Sequence, residues 1–115
     1  MRVAFATRDR EHVDEQLRRA PHLVVYEVTG AGFELEGSAS FAPEHGKRTE
    51  ARIGAIAGCR LLFVSAIGPS TVVRLASRGI RAVTAPAGRP ILDLLLELQR
   101  TLAAHEPGRA DLHRP

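Results

Sequence analysis

The sequence is poor in side chains that make covalent or metal chemistry easy. It has one cysteine, Cys59, and no tryptophan, and aromatic residues make up only 4%. A lone cysteine excludes an intrachain disulfide and the paired thiolates of a structural zinc site. With so few rings, the core has to be built from Val, Leu, Ile and Ala. Lysine is nearly missing too, since Lys47 is the only one among 16 basic residues. No apolar run approaches the roughly 20 residues of a membrane-spanning helix. The opening Arg2-Val3-Ala4-Phe5-Ala6 carries no signal-peptide core. The expectation is a cytoplasmic protein with no membrane partner.

What is present is an ordinary globular composition. The 115 residues are 44% hydrophobic and 25% charged, which suits one domain around one core. The net charge is +3, but 13 acids are interleaved with the arginines. A nucleic-acid reader would gather its basic residues on one face. A nuclease would also need carboxylates on its strands to hold metal ions, and the run Arg60 to Ser65 has none. No nucleic-acid partner is expected.

Apolar patterning gives an ordered series of elements. Val3 to Thr7 reads as a buried strand. Residues 8–20 are polar and read as a loop with one helical turn. Leu23 to Val28 is rich in β-branched residues and reads as a strand. The turn Thr29-Gly30-Ala31-Gly32 then leads into a strand in which Phe33, Leu35, Gly37, Ala39 and Phe41 alternate with polar residues. A helix follows from Lys47 to Ala57, with Ala51, Ile53 or Gly54, and Ala57 inward and Gly58 terminating it. Arg60 to Ser65 is the most apolar strand and is expected at the centre of the sheet. Ser70 to Arg78 reads as a helix ended by Gly79, and Ile80 to Ala85 as the last strand. Pro90 starts a helix to about Ala104, with Ile91, Leu94, Leu95, Leu98 and Leu102 on one face. Residues 106–115 read as a flexible tail after a single domain over 1–105. The fold class is α/β: a five-stranded mixed sheet with an N-terminal antiparallel hairpin, a parallel C-terminal half and three helices.

No catalytic set emerges from these elements. Cys59 lies between a helix-ending glycine and a buried strand, where a packed core residue is the plain reading and a thiolate ligand the sharper one. His12 and His45 lie in loops on either side of the hairpin, either as surface histidines or as two ligands converging on a metal cluster. His22, His105 and His113 form no ligand spacing with them. The acids of the first loop show no opposed pair for acid–base work. Ile67-Gly68-Pro69-Ser70 joins a strand to a helix, a geometry that presents backbone N–H groups to an anion, although it is also an ordinary βα turn. The residues alone give a binding module, not an enzyme.

One ordered set of strings carries more. Val3-Ala4-Phe5-Ala6-Thr7 is followed by His12-Val13-Asp14, Val24-Val25-Tyr26-Glu27-Val28, Ile56-Ala57-Gly58-Cys59, Ser65-Ala66-Ile67-Gly68, Gly79-Ile80 and Pro90-Ile91. From Val3 to Leu102 this resembles the dinitrogenase iron-molybdenum cofactor biosynthesis family, in its small NifX-type members. The resemblance implies a ribonuclease-H-like fold. It also implies a non-enzymatic role in nitrogen fixation: transient binding of an iron–sulfur precursor of the iron-molybdenum cofactor, and its transfer between nitrogenase cofactor assembly proteins. A carrier of this kind needs few, exchangeable ligands. Family members usually carry valine-aspartate-x-histidine-phenylalanine-glycine in the first loop, with that histidine a favoured cluster ligand. Here Val13-Asp14-Glu15-Gln16-Leu17-Arg18 stands there, so Gln16 replaces the imidazole with a poorer iron ligand. The implied cofactor-binding residues then become His12, Arg18, Arg19, His45 and Cys59. His12 and His45 are the metal ligands of that set, and the two arginines hold an anionic cluster by charge. The same departure allows the alternative of a regulatory or scaffold relative that has lost the cluster.

Overall fold

Five consecutive residues, Val3 to Thr7, are fully excluded from solvent. Only a strand flanked on both edges and covered on both faces can be buried in that way. In the computed structural model, which describes residues 1–42, 49–86 and 88–105, this strand is β1 (Arg2–Thr7), the middle of a five-stranded sheet. A short β2 (His12–Val13) and a 3-10 turn (Leu17–Arg19) fill the loop after it. The hairpin is β3 (His22–Thr29) and β4 (Gly32–Ser40). After it come α1 (Thr49–Ala55), β5 (Leu61–Val64), α2 (Pro69–Ala76), β6 (Arg81–Thr84), β7 (Arg89–Pro90) and α3 (Ile91–Ala104). The order across the sheet is β4-β3-β1-β5-β6. β3 runs antiparallel to both neighbours, and β1, β5 and β6 are parallel. The expected mixed sheet and three helices are therefore present. The centre differs: β5 is interior, but β1 occupies the middle, since its alternating Ala4/Ala6 and Val3/Phe5 fill both faces at once.

Each face has its own core. On one, Ala4, Ala6, Leu23, Val25, Leu62 and Val64 meet Ile53 and Ile56 of the α1 region and Leu75 of α2. On the other, Val3, Phe5, Val24, Val28 and Phe63 meet Ile91, Leu94 and Leu95 of α3, with Phe5 stacked on Phe63 at 5.1 Å. β2 and β7 pair as a two-stranded antiparallel ribbon, His12 opposite Pro90 and Val13 opposite Arg89. Pieces of two residues are too short for any periodicity, so sequence patterning does not find them.

Two expectations are corrected. The alternation of β4 is broken by a bulge: Tyr26 faces Leu35 while Val25 faces Gly37, leaving Glu36 as the extra residue. A bulge resets which face side chains take. Phe33 therefore packs beside α3 and Phe41 on the opposite, α1, side, and Leu35 is 56% exposed. In the α1 region the inward residues are Arg52, Ile53 and Ile56, while Ala51, Gly54 and Ala57 are exposed. Volume explains the choice, since an alanine reaches too little of the sheet to fill the gap. Gly58 and Gly79 adopt φ of +87° and +76°, the left-handed terminations read from the sequence. Among the described residues no helix is long and apolar enough to cross a membrane.

Candidate functional site

In an open α/β sheet, the place for a ligand is the crevice beyond the carboxyl ends of parallel strands, where neighbouring connections leave in opposite directions. Here that point lies between β1 and β5. The chain leaving β1 goes to β3 on one side, and the chain leaving β5 goes to β6 on the other. The two exit loops are tied by the Ser65 N–H donating to the Glu15 carbonyl at 3.0 Å. Between them opens a cavity of about 400 Å³, walled by Gln16, Leu17 and Arg18 of the 3-10 turn region and by Ile67, Gly68 and Ser70 of the β5–α2 connection.

The donors facing this crevice follow from local geometry. Gly68 caps α2 with no side-chain hydrogen bond, Pro69 takes the first turn, and no acid lies in that turn. The N–H groups of the first helical turn have no partner inside the helix, and the helix dipole is positive there. Leu17 is buried and anchors the 3-10 turn, while Arg18 and Arg19 are exposed and Gln16 is half-buried. The crevice thus offers an amide, a guanidinium and free backbone N–H groups. Among its described lining residues there is no imidazole, thiolate or carboxylate.

A second cavity of about 530 Å³ adjoins it and shares Arg18. Arg19, Arg8 and Arg52 line it, with Phe41 and Glu15. Arg8 is paired with Glu15 at 3.4 Å and Asp14 at 3.9 Å. Arg52 is 1% exposed. Composition and charge do not single it out, because an arginine on a helix is ordinarily solvated; its place in line with Ile53 and Ile56 is the available signal.

The remaining residues marked by the sequence lie apart from this crevice. Cys59 is a free, buried thiol in the α1–α2 core, and burial pushes its pKa up, against thiolate chemistry. His12 sits on β2 and lines a different cavity, with Tyr26, Phe33 and Leu95 on the α3 side. Its Nδ1 lies 2.7 Å from an Asp9 carboxylate oxygen, which raises the histidine's pKa. Asp9 also accepts the N–H groups of Glu11 and His12, at 2.8 and 2.9 Å. These bonds, that from Glu11 foremost, hold its carboxyl well below the usual range. Among the described residues, the groups near enough to share an ion with His12 are Asp9 and Glu11, all within 4.8 Å. His45 and the tail lie outside the described residues.

Residues 1–101 match the model of a family described as dinitrogenase iron-molybdenum cofactor. The chain belongs to this family. That membership places it with the proteins of nitrogenase iron-molybdenum cofactor biosynthesis. It is 40% identical to Protein NifX of Klebsiella pneumoniae over 102 residues, 86% of this chain and 65% of that protein. It is 35% identical to Protein NifX of Herbaspirillum seropedicae, over 89% of this chain and 73% of that one. Protein NifY of Azotobacter vinelandii is 26% identical, and the match spans 45% of its length. This chain therefore corresponds to about two thirds or less of some relatives. The solved crystal structure of PH0822 aligns with a TM-score of 0.65, over 86% of this chain and 90% of that one, at 24% identity, a likeness of fold.

Proposed function

We propose that this chain is a carrier that binds an iron–sulfur precursor of the iron-molybdenum cofactor and passes it between nitrogenase assembly proteins. The observation that carries this reading is the crevice between β1 and β5. Gln16, standing where the family usually has its histidine, lines it together with Arg18 and the uncapped start of α2. An anionic cluster there is held by charge and hydrogen bonds, with Arg19 in the adjoining cavity adding to the field. Loose holding suits a carrier, which must release what it binds. His12 and Cys59 take no part in this version of the site, since one lines another cavity and the other is buried.

The same reading treats residues 1–105 as one ribonuclease-H-like domain with a tail over 106–115, on the strength of the sheet order and the antiparallel β3. It places the protein in the cytoplasm, as a binder and not a catalyst, with assembly proteins as partners. The absence of coordinating side chains among the described residues of the crevice also favours a second reading, a regulatory or scaffold relative without a cluster. Anaerobic incubation with the isolated precursor, followed by gel filtration and iron analysis, separates the two. Near-stoichiometric iron that falls in Arg18→Gln supports the carrier. No retained iron supports the scaffold.

A further inference from the structure

The buried guanidinium of Arg52 has no assigned role. Its Nε and Nη2 donate to the Ala20 carbonyl at 3.1 and 3.0 Å, and its face lies 4.5 Å from the Phe41 ring centroid. Its Nη1 has no hydrogen-bond partner among the described residues, and no carboxylate among them pairs with it. A guanidinium carries five N–H donors in a planar fork. Two are spent on Ala20, which leaves one donor of Nη2 and both of Nη1, and Nη1 itself has almost no solvent-accessible surface. A buried charge without a counter-ion is costly, and burial pulls the Arg52 pKa down, as expected where no anion is at hand. The cavity that Arg52 helps to line carries three more arginines, Arg8, Arg18 and Arg19, against one carboxylate, Glu15, which is already paired with Arg8.

We infer that this second cavity is a binding site for a small multivalent oxyanion, with Arg18 and Arg19 as its exposed donors and Arg52, at its buried wall, turning its unspent donors to the ligand as the anion enters. Oxyanions match the planar donor pair of arginine, which a lysine cannot reproduce. The volume of about 530 Å³ leaves room for a ligand larger than one ion. Phe41 and the Ala20 carbonyl keep the guanidinium at the cavity wall. The inference does not rest on the cluster reading, because its ligand contains no iron.

The test is calorimetric titration of the metal-free full chain, with inorganic phosphate and with succinate as separate probes, at constant ionic strength set by chloride. Saturable one-to-one binding of either probe is expected, and the tighter of the two shows whether a phosphate or a carboxylate source fits. Arg52→Lys should weaken it at least about tenfold. Should that variant fail to fold, Arg19→Gln, which alters an exposed side chain, should still weaken binding several-fold while unfolding as the wild type does. No saturation by about 10 mM of both probes, or unchanged affinity in Arg19→Gln and in a folded Arg52→Lys, would overturn the site. Iron retention is read separately, so either idea can fail alone.

Discussion

At the scale of single residues, Cys59 and His12 show how position decides chemistry. Cys59 is 2% exposed and packed with Ile56 and Leu62. Replacing its sulfur by a hydroxyl puts an unmatched polar group in an apolar core. Cys59→Ser should cost about 1–3 kcal/mol in denaturant unfolding. At equal folded fraction it should retain the same iron as the wild type; a lost cluster with unchanged stability would make the thiol a ligand after all. His12 has the opposite situation, an exposed ring beside the Asp9 carboxylate. Its NMR titration midpoint should lie above the ordinary 6.5, and Asp9→Asn should return it toward that value. A raised folded pKa gives stability that is fully present below about pH 6.5 and is lost as pH climbs through the folded value. Asp9, with its lowered pKa, works in the other direction, losing its contribution as pH falls into the acid range. A His12 midpoint unmoved by Asp9→Asn would contradict the pairing.

At the scale of elements, the bulge in β4 gives a sharper test than any helix does. Phe33 lies in β4 and Phe41 directly follows its last residue, eight positions on, so a regular strand would place both on one face. The extra residue Glu36 separates them: Phe33 lies against Tyr26 at 6.3 Å between centroids, and Phe41 lies over Arg52. Phe33→Ala and Phe41→Ala should each destabilise the fold, and their effects should add within about 0.5 kcal/mol because they share no neighbour. A coupling above about 1 kcal/mol in the double-mutant cycle would put them on one face. The same strand marks how far the sequence was legible. Long elements with a clear period, such as α3 with Ile91, Leu94 and Leu95, and the β-branched β3, stand close to where patterning placed them. The bulge leaves no mark in composition, because Glu36 looks like any other outward residue of the alternation. The β2–β7 ribbon is set by backbone pairing between segments distant in sequence, which no local window contains. The buried Arg52 is a tertiary fact as well, fixed by Ala20 and Phe41 from other elements.

At the scale of the whole molecule, the sheet order explains why the candidate site is electropositive although the chain as a whole carries only +3. Arg8, Arg18 and Arg19 all lie in the one connection after β1, and because β1 and β5 are neighbouring strands that connection sits at the same end of the sheet as the start of α2. Charge, not coordination, then holds the proposed cluster, and charge can be screened. The Debye length shrinks from about 10 Å at 0.1 M salt to about 3 Å at 1 M. Iron retained by the wild-type chain after anaerobic gel filtration should therefore fall steeply as salt rises. Gln16→His restores the imidazole usual in the family at the same wall of the crevice, adding a bond that salt does not screen. That variant should retain more iron and lose less of it between low and high salt, whereas Arg18→Gln should retain little at any salt. Wild-type retention that is flat with salt would mean coordination by other side chains. Iron that Gln16→His fails to hold better would move the cluster out of the crevice between β1 and β5.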